Sequence, residues 1–402
     1  MFKYIAPSYL FSLIKSNKWE IFLSICLFSN LYPDLPKFLY YILWLAFIFA
    51  ITKMKTKDAN KRSTLAYSLI GLIIFSTIVN IAFLDYRWIM MCIILFITLC
   101  KTSYRFFLFK EKFLFVSMFG YAITGILNNY AHIKNINYML YTWKYKGADY
   151  TLNFSGFTNN SMWLSAASAI GLIFFTYLVM FFWNKKQRFL SFLMLIAIFL
   201  TLQTIVWGAS RSALGIGIGT CLLLIWLSNK NLGKVLLIFC SFTVLAIIAT
   251  PILLSDSERL QSKKGGFSII DEDGETSRTK LWNARVEEFK SSPLWGIGFG
   301  VTGIGDKATS GRAETGSGWL TVLSQTGIIG LILVILIIKR AILPLKIIKN
   351  SPKIALYTSL LAFLCLHTIF EAYMFQSGWY LCFVLWLTVS ILDDYRKYKI
   401  GI

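Results

Sequence analysis

The chain has 402 residues, 57% of them apolar and only 15% charged, with 40 Lys and Arg against 19 Asp and Glu. Its positive mean hydropathy excludes an ordinary soluble domain and places it in the membrane class. A formal charge of +21 would suggest a nucleic-acid partner in a soluble protein. Here the basic residues stand in short clusters between apolar runs of about 20 residues, long enough to cross hydrocarbon as helices, which excludes nucleic acid as a partner.

In chain order the apolar runs fall at 12–32, 36–52, 64–84, 88–100, 113–130, 158–183, 189–207, 212–228, 234–254, 318–338, 354–373 and 376–392. They predict an all-α, polytopic membrane protein of about 12 transmembrane helices, one integral membrane domain over residues 1–402. No small-residue cleavage site follows the first run, so that span is expected to stay as an anchor. Lys53, Lys55, Lys57 and Lys61, and later Lys339, Arg340, Lys346 and Lys349, cluster between spans. The positive-inside rule puts these clusters and both termini in the cytoplasm. The seven cysteines lie in or beside apolar runs, and no His, Asp and Cys share metal-ligand spacing, so neither disulfides, a metal nor a cofactor is expected.

Two outer connections are long. The first, 131–157, mixes asparagines with aromatics such as Asn135, Tyr138, Trp143 and Asn153. That mixture suits stacking on sugar rings and bonding of their hydroxyls, or equally an interfacial aromatic belt. The second, 255–317, lies between the ninth and tenth spans and holds more than half of the acidic residues. A loop this long between membrane helices usually carries function.

Within the second loop, Thr276 or Ser277 can cap a helix at about 277–291 that ends before Pro293 and lies on the membrane. Trp282, Val286 and Phe289 share one face. Arg278 and Arg285, seven residues apart, flank that stripe, while Glu287 and Glu288 lie away from it. Guanidinium suits a bidentate grip on phosphate oxygens, the alternative being arginines that snorkel beside an apolar face. Next comes Pro293-Leu294-Trp295-Gly296-Ile297-Gly298-Phe299-Gly300. It follows no strand, so it reads as a tight turn re-entering the membrane rather than a nucleotide loop.

Arg211, in Trp207-Gly208-Ala209-Ser210-Arg211-Ser212, is a charge close to hydrocarbon, hence a functional candidate or an interfacial anchor. Gly215 and Gly219 beyond it allow close helix packing. His367 and Glu371, four apart on the eleventh run, share a helix face, either as a structural hydrogen bond or with Glu371 as a general base. His132 reads as a headgroup-level histidine.

These segments resemble the O-antigen ligase and polymerase superfamily. The resemblance is carried by Gly208-Ala209-Ser210-Arg211-Ser212-Ala213-Leu214, by Arg278 with Trp282 running to Gly300, and by Gly316-Ser317-Gly318-Trp319-Leu320 with Gly327-Ile328-Ile329-Gly330. Arg285 and Gly296 also resemble an arginine-to-glycine pattern of the polymerase branch. The resemblance implies glycan transfer from undecaprenyl diphosphate at the periplasmic face of a bacterial inner membrane, without metal or nucleotide. Arg211, Arg278 and Arg285 would hold the diphosphate, and Glu371 or Glu314 would deprotonate the acceptor hydroxyl. The partners implied are an undecaprenyl-diphosphate-linked oligosaccharide and membrane lipids, with room for a chain-length regulator. Ligases carry a histidine where this chain has Gly316, so the resemblance favours the polymerase, which joins oligosaccharide repeat units. A ligase acting on lipid A core is the alternative. A transporter or flippase is the second, opposed by the absence of a visible repeat and the scarcity of charges within spans.

Overall fold

The apolar runs that are described are helical over most of their length, because a helix satisfies its own backbone groups and leaves only side chains to meet lipid or neighbours. The computed structural model describes residues 17–54, 64–81, 86–99, 103–138, 142–145, 148–151, 154–228, 277–299 and 316–398; for the hairpin at 142–151 and for Ser277, Arg278 and Lys280 only the backbone is described. The ninth apolar run (234–254), Lys55, Lys57, Lys61 and Glu314 lie outside the described residues.

The first helices are α1 (Lys18–Phe28), α2 (Phe38–Lys53), α3 (Thr64–Val79), α4 (Arg87–Leu99) and α5 (Tyr104–Ile133). A two-stranded hairpin, β1 (Thr142–Tyr145) and β2 (Ala148–Thr151), precedes α6 (Ser161–Asn184), α7 (Arg188–Trp207) and α8 (Arg211–Ser228). Then come α9 (Ser277–Ser291), α10 (Gly318–Ala341), α11 (Leu345–Asn350), α12 (Pro352–His367) and α13 (Tyr380–Tyr398).

Local chemistry sets several ends. The Ser103 hydroxyl accepts the Phe106 amide at 3.2 Å and starts α5 well before the apolar run at 113, so Lys110 and Glu111 become helical. Asn160 caps α6 through the Met162 amide at 2.8 Å. The hairpin departs from the all-α expectation. Its antiparallel register sets Trp143 against Tyr150 and Thr142 against Thr151, aromatic and β-branched pairs that favour a strand.

Among the described residues, α6, α7, α8 and α10 are long and apolar enough to cross a membrane, with a fifth span if α4 and α5, which meet at 112°, form one broken crossing. α2, α3 and α12 are shorter apolar helices.

α6 sits at the centre, packed against α5, α7 and α8, while α13 lies against α4, α5, α10 and α12. Trp386, Phe47, Phe113 and Phe383 fill the core between these helices. At the end of the bundle where α5 starts and α13 finishes, fully buried Lys110 and Asp394 meet at 2.6 Å, and Arg340 of α10 bonds Asp393 at 3.0 Å. A buried pair of this kind fixes register between helices more than it adds stability.

α10 is interrupted. Gly327 sits at φ 65° and ψ −168°, nine residues past the helix start, about 14 Å along the axis at the usual rise.

Candidate functional site at the start of α10

The break at Gly327 is filled by the glycine-rich segment after α9. The Ile297 amide donates to the Ser324 carbonyl at 2.9 Å, and the Ile328 and Ile329 amides donate to the Pro293 and Leu294 carbonyls at 2.9 and 3.3 Å. Backbone groups that the interrupted helix cannot pair internally are thus paired from outside. The approach is so close that a Cβ on Gly296 would lie 2.3 Å from the Gln325 carbonyl carbon, and one on Gly327 would lie 2.3 Å from that of Leu294. Side chains from the end of α3 and the residue after it close the third side. Ser76 Oγ donates to the Gln325 carbonyl at 3.0 Å, and Asn80 Nδ2 donates to the Gly296 carbonyl at 3.0 Å and the Ser76 carbonyl at 2.8 Å. Ser76 and Asn80 escaped the sequence reading, although two polar residues four apart near the end of an apolar run form a readable face.

This arrangement presses α9 along the first half of α10. The Trp282 indole N–H donates to the Gly316 carbonyl at 3.0 Å. Arg285 is 5% exposed and Glu288 2%, with Nη2 and Oε1 2.6 Å apart. The sequence sets Glu288 away from the apolar stripe; in the structure it is buried beside Arg285. Residues three apart stand on one helix face, and the contact with α10 selects the face that includes 285 and 288, leaving Trp282, Val286 and Phe289 half-buried. Burial pulls the Arg285 guanidinium below its usual range and the Glu288 carboxylate opposes that pull. Arg285 Nε and Nη1 are buried with no hydrogen-bond partner among the described residues. The backbone of Arg278 lies two turns earlier on α9.

A second line of contacts reaches the same point from α12. That helix ends at His367, so His367 and Glu371 do not share a helix face, contrary to the sequence reading. The Thr368 amide closes back on Leu364 at 3.1 Å. The Thr368 and Glu371 carbonyls, which a continuing helix would use internally, accept the Gly318 amide at 2.7 and 3.2 Å. Thr368 Oγ1 also donates to the Glu371 carbonyl at 2.9 Å, and the Trp319 indole N–H donates to the Cys365 carbonyl at 3.0 Å. Glu371 is 8% exposed. The His367 ring is held between Phe363 and Tyr373, with centroids at 5.1 and 5.8 Å.

Arg211 is exposed at the first position of α8. α8 packs on α12 and α11, and the Lys349 ammonium sits 4.7 Å from the centre of the Trp226 ring at the far end of α8. α8 and α12 therefore run antiparallel, with Arg211 at the end of the bundle where α12 finishes. The turn leading to Arg211 is seated by aromatics. Trp207 stacks on His132 at 3.7 Å and 4°, with Phe154 edge-on to both, which gives His132 a packing role beyond headgroup contact. Ala209 follows at φ 51°, and Ser210 Oγ accepts the Ala213 amide at 3.4 Å.

The structure thus gathers Trp282, Ser317, Gly318 and the Glu371 connection at one helix start, places Arg285 beside it in an ion pair, and leaves Arg211 on the surface at that end. No group of three or more His, Cys, Asp and Glu able to hold a metal occurs among the described residues.

No curated protein matches the chain. Residues 196–335 match the family model described as O-Antigen ligase, a stretch that contains Arg211, Arg278, Arg285 and the Gly327 break but not Glu371. That family consists of glycosyltransferase-like enzymes. With apolar helices on either side of the match, the chain is a membrane protein whose residues 196–335 are similar to the O-antigen ligase family, which supports the O-antigen ligase and polymerase superfamily.

Proposed function

We propose that the chain is a polysaccharide polymerase that transfers glycan from undecaprenyl diphosphate to an incoming lipid-linked repeat unit at the periplasmic face of the bacterial inner membrane. The observation that carries this reading is the meeting at the start of α10 of the arginine-bearing helix, through Trp282 and Gly316, and the Glu371 connection, through Gly318. In the proposed reaction an acceptor hydroxyl oxygen attacks the anomeric carbon of the donor sugar. The new C–O bond forms as the bond to diphosphate breaks, the electron pair leaves on the diphosphate oxygen, and the proton passes to Glu371 or Glu314. The leaving group is already good, so charge neutralisation by Arg211, Arg278 and Arg285 and proton removal supply the catalysis without metal. The two uncommitted donor positions on Arg285 support a phosphate role for that residue.

The proposed topology has about 12 spans with both termini cytoplasmic and the 255–317 loop periplasmic, between spans nine and ten. A chain-length regulator is a proposed further partner. The ligase reading is favoured by the description of the matched family. Gly316 weighs against it. Its φ of 64° disfavours a side chain there, and an added Cβ would lie 3.3 Å from the Trp282 ring, so a histidine at 316 would be strained on this backbone.

The test is the surface glycan ladder of a deletion strain complemented with wild type, Arg211→Ala or Arg278→Ala. The polymerase reading expects the wild-type ladder to collapse to a single repeat attached to core in each variant. Loss of all attached glycan with long lipid-linked polymer inside would establish the ligase instead. Full ladders from both variants, expressed normally, would remove the arginines from the mechanism.

A further inference from the structure

We infer that Trp163 and Trp379 form a sugar-stacking subsite beside the α12–α13 connection, taking one pyranose ring of the oligosaccharide. The identity of that guest rests on the glycan-transfer reading. The two indoles lie 4.9 Å apart between centroids at 55°, both half-buried, at the end of the bundle where Glu371 lies. Trp163 is fixed from behind, because the Tyr380 hydroxyl donates to its carbonyl at 2.8 Å and the Tyr380 ring stands 6.1 Å away at 71°. Trp379 is fixed by the turn at 376–379. In that turn the Trp379 amide donates to the Gln376 carbonyl at 3.0 Å, Tyr40 OH donates to the Ser377 carbonyl at 3.2 Å, and Asn30 Nδ2 donates to the Gly378 carbonyl at 2.8 Å. A Cβ added at exposed Gly378 would meet nothing within 4 Å, so the rim beside the indoles is open.

Two polar atoms here lack partners among the described residues: Trp163 Nε1, which is buried, and Oγ of Ser377, a residue 2% exposed. A tryptophan of an interfacial belt turns its N–H to water or headgroups. A buried donor left without an acceptor costs about 1–3 kcal/mol. A pyranose answers both needs, its C–H face lying on the exposed part of an indole and its hydroxyls meeting Nε1–H and Oγ once side-chain rotation on binding uncovers them. Three asparagines near this end are committed elsewhere: Asn137 accepts Ser155, Asn159 bonds the Asn30 carbonyl, and Asn160 caps α6. Trp163 and Trp379 both lie outside 196–335, where the family match ends, so the subsite would set which sugar this chain accepts rather than the reaction it shares with its family.

The test uses the full chain in lipid nanodiscs, titrated with the free oligosaccharide released by mild acid from the lipid-linked pool of the deletion strain, with binding followed by saturation-transfer NMR. Wild type is expected to bind. Trp379→Ala should weaken binding about tenfold or more, and Trp379→Phe, which keeps a stacking ring, by no more than about threefold. Should Trp379→Ala unfold, Trp163→Phe, which removes the Nε1 donor and keeps a ring, is expected to weaken binding while Trp379→Phe does not. Absence of binding to wild type, or equal affinity in Trp379→Ala and wild type, would overturn the subsite. A deletion strain whose glycan ladder matches that of its parent, while the sugar titration still depends on Trp379, would sink the transferase and leave the subsite standing.

Discussion

At position 285 a guanidinium is held 5% exposed, 2.6 Å from a carboxylate and with two of its nitrogens uncommitted among the described residues. Such a charge is tolerated only while its partner is present. Glu288→Gln is therefore expected to cost about 3–5 kcal/mol, read as a lower thermal unfolding midpoint in detergent. Arg285→Met combined with Glu288→Leu removes both charges and should recover most of that loss, with glycan transfer still absent. A Glu288→Gln protein as stable as wild type would mean that the pair is not desolvated. The seven-residue spacing of Arg278 and Arg285 was legible in the sequence because helical period alone sets it. The Arg285–Glu288 pair was not, because sequence does not say which face of α9 meets α10.

At the scale of elements, the join between the 293–297 segment and the broken α10 is the most constrained feature. Gly327→Ala would force a Cβ into a left-handed position 2.3 Å from the Leu294 carbonyl carbon, and neither backbone can retreat without giving up the Ile328 and Ile329 bonds. The expected loss exceeds about 2 kcal/mol. Asn80→Ala removes side-chain donation to the Gly296 and Ser76 carbonyls without moving any backbone and should cost about 1 kcal/mol. Denaturation midpoints of the two variants check the order, and a reversed order would deny the backbone contact its role. The glycines after Pro293 read as a turn re-entering the membrane. The structure adds that the turn completes another helix, information carried by Gly327, Ser76 and Asn80 at distances no local pattern reveals. Likewise the apolar run through 373 hides the end of α12 at His367, since that end is set by the Gly318 amide of a different helix.

For the whole molecule, run length and composition were enough to give helices along the described spans, because hydrocarbon leaves few alternatives. The hairpin at 142–151 was lost among polar residues whose local pattern is weak. Reporter fusions at Lys57 and Lys346 are expected on one side of the membrane, where the positive-inside rule puts both clusters. Opposite sides would break the proposed topology.

The break in α10 also has a consequence for biosynthesis. The segment that fills it is made before α10, while Ser76 and Asn80 are made much earlier, on α3. As α10 enters the bilayer, its peptide groups around Gly327 face hydrocarbon at a cost of several kcal/mol each until Pro293 to Ile297 dock. The finished contacts therefore favour an order in which the glycine segment docks beside α3 as α10 is inserted, so that α10 meets a template rather than entering as an independent span.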